Sequence, residues 1–167
     1  IMRHIISVLL ENESGALSRV SGLFSARGYN IESLTVAPTN DPTLSRMTIV
    51  TIGDDRKVDQ IEKHLGKLVD VAALQDITVS DHLEREIVLV KVQVPDDQTV
   101  AFERVVGAFN ATAMHVADDQ YIVEMSGSSE KVDELINSFK ITKVIEVVRS
   151  GVIGLASDAR VLSVPSL

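Results

Sequence analysis

The segment whose residue types point most specifically to a binding chemistry is Glu11-Asn12-Glu13-Ser14-Gly15-Ala16-Leu17. It leads from an apolar stretch directly into an amphipathic one. The first turn of a helix exposes backbone N–H groups and the positive end of the helix dipole, so it attracts a carboxylate. Gly15 has no Cβ to keep a ligand away from the backbone. The amide of Asn12 can donate to a carboxylate and accept from an ammonium group, which suits a zwitterion. A plain strand-to-helix turn uses the same residue types, so both interpretations stay open.

A second side chain with the same capability is Asn30, which follows the end of the predicted helix. Gly28 is a plausible helix-terminating residue, because glycine takes the left-handed backbone conformation freely. Asn30 lies too far along the chain to cap a helix that begins near Gly15. Its amide either takes part in ligand binding or satisfies local backbone groups in the turn.

The sequence contains no recognisable catalytic motif. It has neither the Gly-x-Ser-x-Gly nucleophile turn nor the Gly-x-x-x-x-Gly-Lys-[Ser/Thr] phosphate loop. Four histidines occur singly, without the spacing of a zinc site: His4, His64, His82 and His115. Only Asp81-His82-Leu83-Glu84 could offer several ligands to a metal, and a solvated linker explains the same residues. We therefore expect a chain without catalytic residues and without a cofactor or metal of its own.

The hydrophobic pattern places Gly15 and its neighbours at the first junction of a β-α-β-β-α-β module. Apolar residues are nearly continuous over 4–10, as in a strand covered by helices, and then recur at helical spacing from Ala16. The pattern then predicts strands at 31–36 and 47–52, a helix at 58–65 and a strand at 69–79. Both helices are expected on one face of a four-stranded antiparallel sheet, with the other face bare.

The same order of elements begins again after residue 84. The pattern predicts a strand at 85–94, a helix at 100–109, strands at 112–117 and 120–126, a helix at 129–139 and a strand at 144–149. An α+β fold of two tandem ferredoxin-like modules is the simplest interpretation. We expect domains at 3–80 and 84–150, and a tail at 151–167.

The second module repeats the order of elements but not the turn. Pro95-Asp96-Asp97-Gln98-Thr99 stands where the first module has its Asn and Gly. Asp96 and Asp97 are expected to cap the helix that follows, and their charges would repel an incoming carboxylate. We therefore expect ligand binding in the first module only.

The charge balance argues against nucleic acid as a partner. The chain has 16 Lys and Arg against 24 Asp and Glu, a net charge of −8, and acidic residues outnumber basic ones in both halves. Its lack of cysteine excludes disulfides and thiolate metal sites and fits a reducing compartment. No apolar run approaches the ~18 residues of a membrane-spanning helix. We expect a cytoplasmic protein that does not bind membranes.

Three stretches of the first module resemble a known family almost letter for letter. They are SVLLENESGALSRV at 7–20, GLFSARGYNIESLTV at 22–36 and LSRMTI at 44–49, and the family is the small subunit of acetolactate synthase (acetohydroxyacid synthase). The close match covers about residues 3–80 and is more specific than the general signature of an ACT domain. Residues 84–86 and 146–151 extend it more loosely into the second module.

The resemblance implies a non-catalytic regulatory subunit. Members of the family have an amino-terminal ACT domain followed by an ACT-like domain. They associate with a large catalytic subunit that carries thiamine diphosphate, FAD and magnesium, raise its activity and make it sensitive to valine. The catalytic subunit condenses pyruvate with pyruvate or 2-oxobutanoate in the biosynthesis of branched-chain amino acids.

The same resemblance implies where the effector binds. Two ACT domains pair as a homodimer, and valine lies at their interface. The residues implied are Asn12, Gly15, Ala16 and Leu17 of one protomer, with Asn30 and Ile31 of the other. A different interpretation of the same motifs is a free-standing ACT-type amino-acid sensor that acts on an unrelated partner.

Overall fold

Two compact units form the chain in the computed structural model, which describes residues 2–165 and only the backbone of residue 141. The first unit comprises the described residues up to Leu83 together with those from Val152 onward, and the second comprises Glu84–Gly151. Each unit has the element order β-α-β-β-α-β. This confirms the predicted α+β fold with two ferredoxin-like modules.

The first unit is an antiparallel sheet with two helices on one face. Its elements are β1 (Met2–Glu11), α1 (Ala16–Ala26), β2 (Ser33–Pro38), β3 (Leu44–Gly53), α2 (Asp55–Leu65) and β4 (Val71–Asp76). The strand order is β2-β3-β1-β4, so β2 and β4 are the edges. Alternate residues of β1, such as Ile6 and Val8, pack with Phe24 of α1 and Ile61 of α2. The continuous apolar run in β1 is explained because its other face is also buried.

The second unit repeats this layout. Its elements are β5 (His82–Gln93), α3 (Thr99–Ala108), β6 (Thr112–Ala117), β7 (Gln120–Gly127), α4 (Ser129–Ser138) and β8 (Lys143–Arg149), with short 3-10 helices at Asp96–Gln98 and Phe139–Ile141. The antiparallel order is β6-β7-β5-β8. Val88 and Val90 of β5 pack with Phe102 of α3 and Leu135 of α4. Because β5 already begins at His82, residues 82–84 belong to a strand rather than to a solvated linker.

The segment after β8 differs from the expected tail. Val152 is 2% exposed, and Ile153–Ala156 form a ninth strand, β9. Val152 packs with Ile5 and Val50, which lie on the sheet face opposite the helices, and with Ile77, which follows β4. The face that we expected to be bare is therefore partly covered by the chain itself.

Polar contacts fix this segment to the sheet. The N–H of Val152 donates to Ser33 Oγ at 3.0 Å, and its carbonyl accepts from Thr35 Oγ1 at 2.9 Å. Arg46 Nη2 donates to the carbonyl of Gly154 at 3.1 Å. We call residues 152–156 the strap. The hydrophobic pattern of the strap is weak, but side chains of β2 and β3 form hydrogen bonds with its backbone N–H and C=O groups.

Candidate effector site

The turn between β1 and α1 is tied to the loop between β2 and β3. The N–H of Asn12 donates to the carbonyl of Thr43 at 2.7 Å, and Asn12 Nδ2 donates to the carbonyl of Pro42 at 3.1 Å. The side-chain oxygen of Asn12 accepts no hydrogen bond from any residue that the structure describes. Asn12 therefore has a fixed position and keeps an acceptor, which could receive an ammonium group.

Gly15 is the residue before the first turn of α1. Its φ is +87°, in the left-handed region that favours glycine, and no side chain caps the helix. The N–H of Ala16, one of the groups that the resemblance implied for the ligand, donates to the carbonyl of Glu13 at 3.3 Å. The N–H groups of Leu17 and Ser18 have no acceptor among the described residues. The first turn of α1 therefore has two backbone donors, on Leu17 and Ser18, that no described residue satisfies.

Arg19 and Asp70 support this turn, and sequence reasoning missed both. Arg19 Nε donates to Asp70 Oδ2 at 2.5 Å, and Nη2 donates to Asp70 Oδ1 at 2.9 Å and to the carbonyl of Ser14 at 3.4 Å. The Asp70 side chain is 3% exposed. The hydrogen bonds from Arg19 lower the pKa of Asp70, and those to Asp70 raise the pKa of Arg19. The pair thus joins α1 to the segment before β4.

Arg19 also occupies the space beside Gly15. A Cβ on Gly15 would lie 2.9 Å from Arg19 Nη1, closer than side chains normally approach. Gly15 therefore serves two purposes: it permits the left-handed turn, and it leaves room for the guanidinium. The four-residue separation within a helix was the available signal for this contact, whereas nothing local indicated Asp70 as the partner.

Three carboxylates come close together beside Arg19. Glu11, Glu13 and Asp70 bring ligand atoms within 4.8 Å of one another, and no other such group of three occurs among residues 2–165. Asp70 is already bonded to Arg19, whose charge offsets part of this negative cluster. Asp81, His82 and Glu84, the possible metal ligands within residues 81–84, form no such group among the described residues.

Asn30 and Ile31 lie beyond the other end of α1. A helix of 11 residues, the length of α1, spans about 16 Å, so one chain does not bring Asn30 to Gly15. The side chain of Asn30 is exposed and makes no hydrogen bond with any described residue, so the local-backbone interpretation has no contact to support it. Its backbone carbonyl accepts from Thr51 Oγ1 at 2.7 Å. Ile31 is partly buried against the core.

The corresponding turn of the second unit is built differently. Asp96–Gln98 forms a 3-10 helix before α3, and neither it nor α3 has a side-chain cap. The expectation that Asp96 and Asp97 cap the helix is therefore wrong, because the 3-10 turn already places both residues inside helical structure. Their carboxylates still lie at the amino end of this helical segment, with no glycine among them.

Within the described part of the chain, no helix has the length and apolar character needed to cross a membrane.

Both units match models of known protein families. The family model described as the AHAS small subunit-like ACT domain matches residues 6–73, and the model for the small subunit of acetolactate synthase matches residues 85–158. The chain is 52% identical over 162 residues to the acetolactate synthase isozyme 3 small subunit of Salmonella typhimurium, which covers 96% of this chain and 99% of that protein. It is 51% identical over 156 residues to the acetolactate synthase small subunit of Haemophilus influenzae, covering 93% and 96%.

A solved structure agrees with these relatives. The crystal structure of the acetolactate synthase small subunit from Thermotoga maritima matches with a TM-score of 0.86 and 33% identity, over 96% of this chain and all of that one. The fold of the two units and the turn between β1 and α1 together define a protein of tandem ACT-type domains. The chain belongs to the family of acetolactate synthase small subunits.

Proposed function

We propose that this chain is the regulatory subunit of an acetolactate synthase, which raises the activity of a large catalytic subunit and makes it sensitive to valine. Thiamine diphosphate, FAD and magnesium then belong to the catalytic subunit. Family membership supports the assignment to this enzyme. The observation that carries the effector site is a set of polar groups without a partner among the described residues: the N–H groups of Leu17 and Ser18 at the amino end of α1, and the amide of Asn30 beyond its carboxyl end.

A second copy of the chain is the simplest way to bring these two ends together. If two α1 helices pack antiparallel about a two-fold axis, the amino end of each lies beside the carboxyl end of the other. The α1 surface carries small residues at helical spacing, namely Ser18, Gly22 and Ser25, all exposed in the single chain. β2 is an edge strand of the first sheet, and such edges pair readily with another copy. We therefore propose a homodimer through the first unit.

In this arrangement each group of the effector has a partner of suitable chemistry. The carboxylate of valine would accept from the N–H groups of Leu17 and Ser18, aided by the helix dipole. Its ammonium group would donate to the side-chain oxygen of Asn12. The amide and backbone near Asn30 and Ile31 of the other protomer would close the site.

Inhibition then follows from linkage between valine binding and the state of the dimer. Valine can shift an equilibrium only by binding one state more tightly than the other. A ligand that contacts both protomers opposes any change in their relative position. Tenfold inhibition requires about 1.4 kcal/mol of differential binding, which one or two hydrogen bonds can supply.

Reconstitution tests the proposal. The purified chain is mixed with an acetolactate synthase catalytic subunit, and acetolactate formation is measured while valine, leucine and isoleucine are titrated separately. We expect no turnover by the chain alone, higher activity of the mixture than of the catalytic subunit, and inhibition by valine. An unrelated partner recovered by copurification, with no effect on acetolactate formation, would favour a free-standing sensor instead.

A further inference from the structure

Thr51 has a buried hydroxyl whose hydrogen bond leads directly to the candidate site. The residue lies on β3 and is 0% exposed. Its Oγ1 donates to the backbone carbonyl of Asn30 at 2.7 Å, and it makes no other side-chain hydrogen bond with the described residues. A buried hydroxyl without a partner destabilises a fold, whereas valine would fill nearly the same volume without that requirement. The hydrogen bond from its hydroxyl to the carbonyl of Asn30 is therefore the best explanation for a threonine at this position.

The Asn30–Ile31 loop lies just beyond the backbone hydrogen bonds between β2 and β3. The last backbone bond on this side is from the N–H of Glu32 to the carbonyl of Val50, at 2.8 Å. On the other side, the N–H of Tyr29 donates to the carbonyl of Phe24 at 2.9 Å, closing the end of α1. Between these two bonds, the hydroxyl of Thr51 makes the hydrogen bond that fixes the backbone of Asn30 to the sheet.

We propose that Thr51 is a positioning residue for the effector site, which fixes the backbone of Asn30 and so the direction from which its amide reaches the ligand. This inference rests on the function proposed above. Because the Asn30 side chain has no hydrogen bond of its own to the described residues, its placement depends on the backbone that carries it. Thr51 does not contact the effector; it limits the positions that Asn30 can adopt before the effector binds, so less conformational freedom is lost on binding.

The chain offers a matched control on the same strand. Thr48 is 3% exposed and also lies on β3, but it pairs with Ser7 on the opposite sheet face and has no hydrogen bond to the Asn30 loop. Thr48→Val removes a buried β3 hydroxyl without touching this loop. Thr51→Val removes the hydroxyl at nearly constant volume. Thr51→Ser and Thr51→Ala both lose the methyl group, and only serine keeps the hydroxyl.

The experiment uses the full-length chain reconstituted with the catalytic subunit. For each variant we measure the maximal activation and the valine concentration that gives half-inhibition, with calorimetry for valine binding to the small subunit alone. For Thr51→Val we expect the half-inhibition concentration to rise about 2- to 10-fold, the range that corresponds to one hydrogen bond, with unchanged activation. Thr51→Ser should stay near wild type, and so should Thr48→Val.

The comparison of serine with alanine keeps the test decisive if Thr51→Val does not fold. A higher half-inhibition concentration for alanine than for serine supports a role of the hydroxyl. Equal values for the two, or wild-type values for valine and alanine, would overturn the inference while leaving the proposed function intact. If valine does not inhibit the wild-type complex, the proposed function and this inference are both overturned.

Discussion

Arg19 and Asp70, separated by 51 residues in sequence, form a two-pronged ion pair at the turn where α1 begins. The carboxylate is almost fully buried, while the guanidinium side chain is 47% exposed. A bidentate pair of this kind has a defined geometry that lysine could not reproduce. Because Arg19 also bonds the carbonyl of Ser14, the pair fixes the turn that contains Gly15.

Replacing Asp70 by Asn should destabilise the first unit in a pH-dependent way. The pKa of Asp70 is lowered in the folded chain, chiefly by the hydrogen bonds from Arg19. Its stabilising contribution is therefore present above the unfolded-state pKa of about 3.9 and is lost as the pH falls through the lower folded-state pKa. Thermal melts should show a lower Tm for Asp70→Asn at neutral pH and a smaller difference from wild type in acid. A difference that does not change with pH would contradict this explanation.

The second unit supplies the control for this variant. Arg149 Nε lies 2.6 Å from Oε1 of Glu86, whose side chain is 3% exposed, so this unit has an ion pair of similar type. Glu86→Gln should also lower the Tm. We expect only Asp70→Asn to raise the valine concentration for half-inhibition, because only Asp70 supports the Gly15 turn.

Gly15 can be tested with two substitutions that differ in charge. Both Gly15→Ala and Gly15→Asp place a Cβ beside Arg19 Nη1 in a left-handed backbone conformation. Only aspartate adds a negative charge where the valine carboxylate is expected. We predict a moderate loss of valine binding for alanine and a further loss of about tenfold for aspartate, from charge repulsion at the site. Equal losses in calorimetry would mean that Gly15 has only a structural role in this turn and that no carboxylate binds beside it.

The strap can be tested at Gly154. A Cβ there would lie 2.7 Å from Ile77 Cδ1 and 3.4 Å from Ile5 Cγ2, both in the buried cluster beneath the strap. Gly154→Ala should lower the free energy of unfolding by about 1–3 kcal/mol through overpacking. Gly107→Ala is the control: its Cβ would meet nothing within 4 Å inside α3, and it should raise the free energy of unfolding by about 0.5–1 kcal/mol. Denaturation in urea measures both, and a neutral Gly154→Ala would show that the strap is loosely packed.

The order of elements could be predicted from the sequence because the local signals were strong. Each of these signals comes from residues that are close in sequence: the apolar run of β1, the helical spacing of Val20 and Phe24 in α1, and the turn at Gly15. β4 is shorter than predicted, since Asp76 Oδ1 accepts from the N–H of Thr78 at 2.8 Å and turns the chain.

The contacts that support the site could not be predicted, because each joins distant parts of the chain. The hydroxyl of Thr51 and the carbonyl of Asn30 meet only once β3 lies beside the loop after α1. The strap has a weak hydrophobic pattern, and its partners Ser33 and Thr35 belong to a strand more than 100 residues earlier. Such pairings depend on the finished sheet and leave no periodic signal in the sequence.

The central claim is that one effector site is built from the Gly15 end of one protomer and the Asn30 end of the other. Gly15→Asp disrupts one of the two parts of this site, and Asn30→Ala disrupts the other. Each variant alone should bind little or no valine. In a dimer with one chain of each, one site carries both changes and the other site is unchanged.

Calorimetry on an equimolar mixture of the two variants, unfolded and refolded together, measures this directly. Random pairing makes about half of the dimers mixed, each with one intact site of two, so we predict valine binding at about one quarter of a site per chain. A site contained within one chain cannot be rebuilt from these two variants, so a mixture that binds no more valine than the separate variants would contradict the claim.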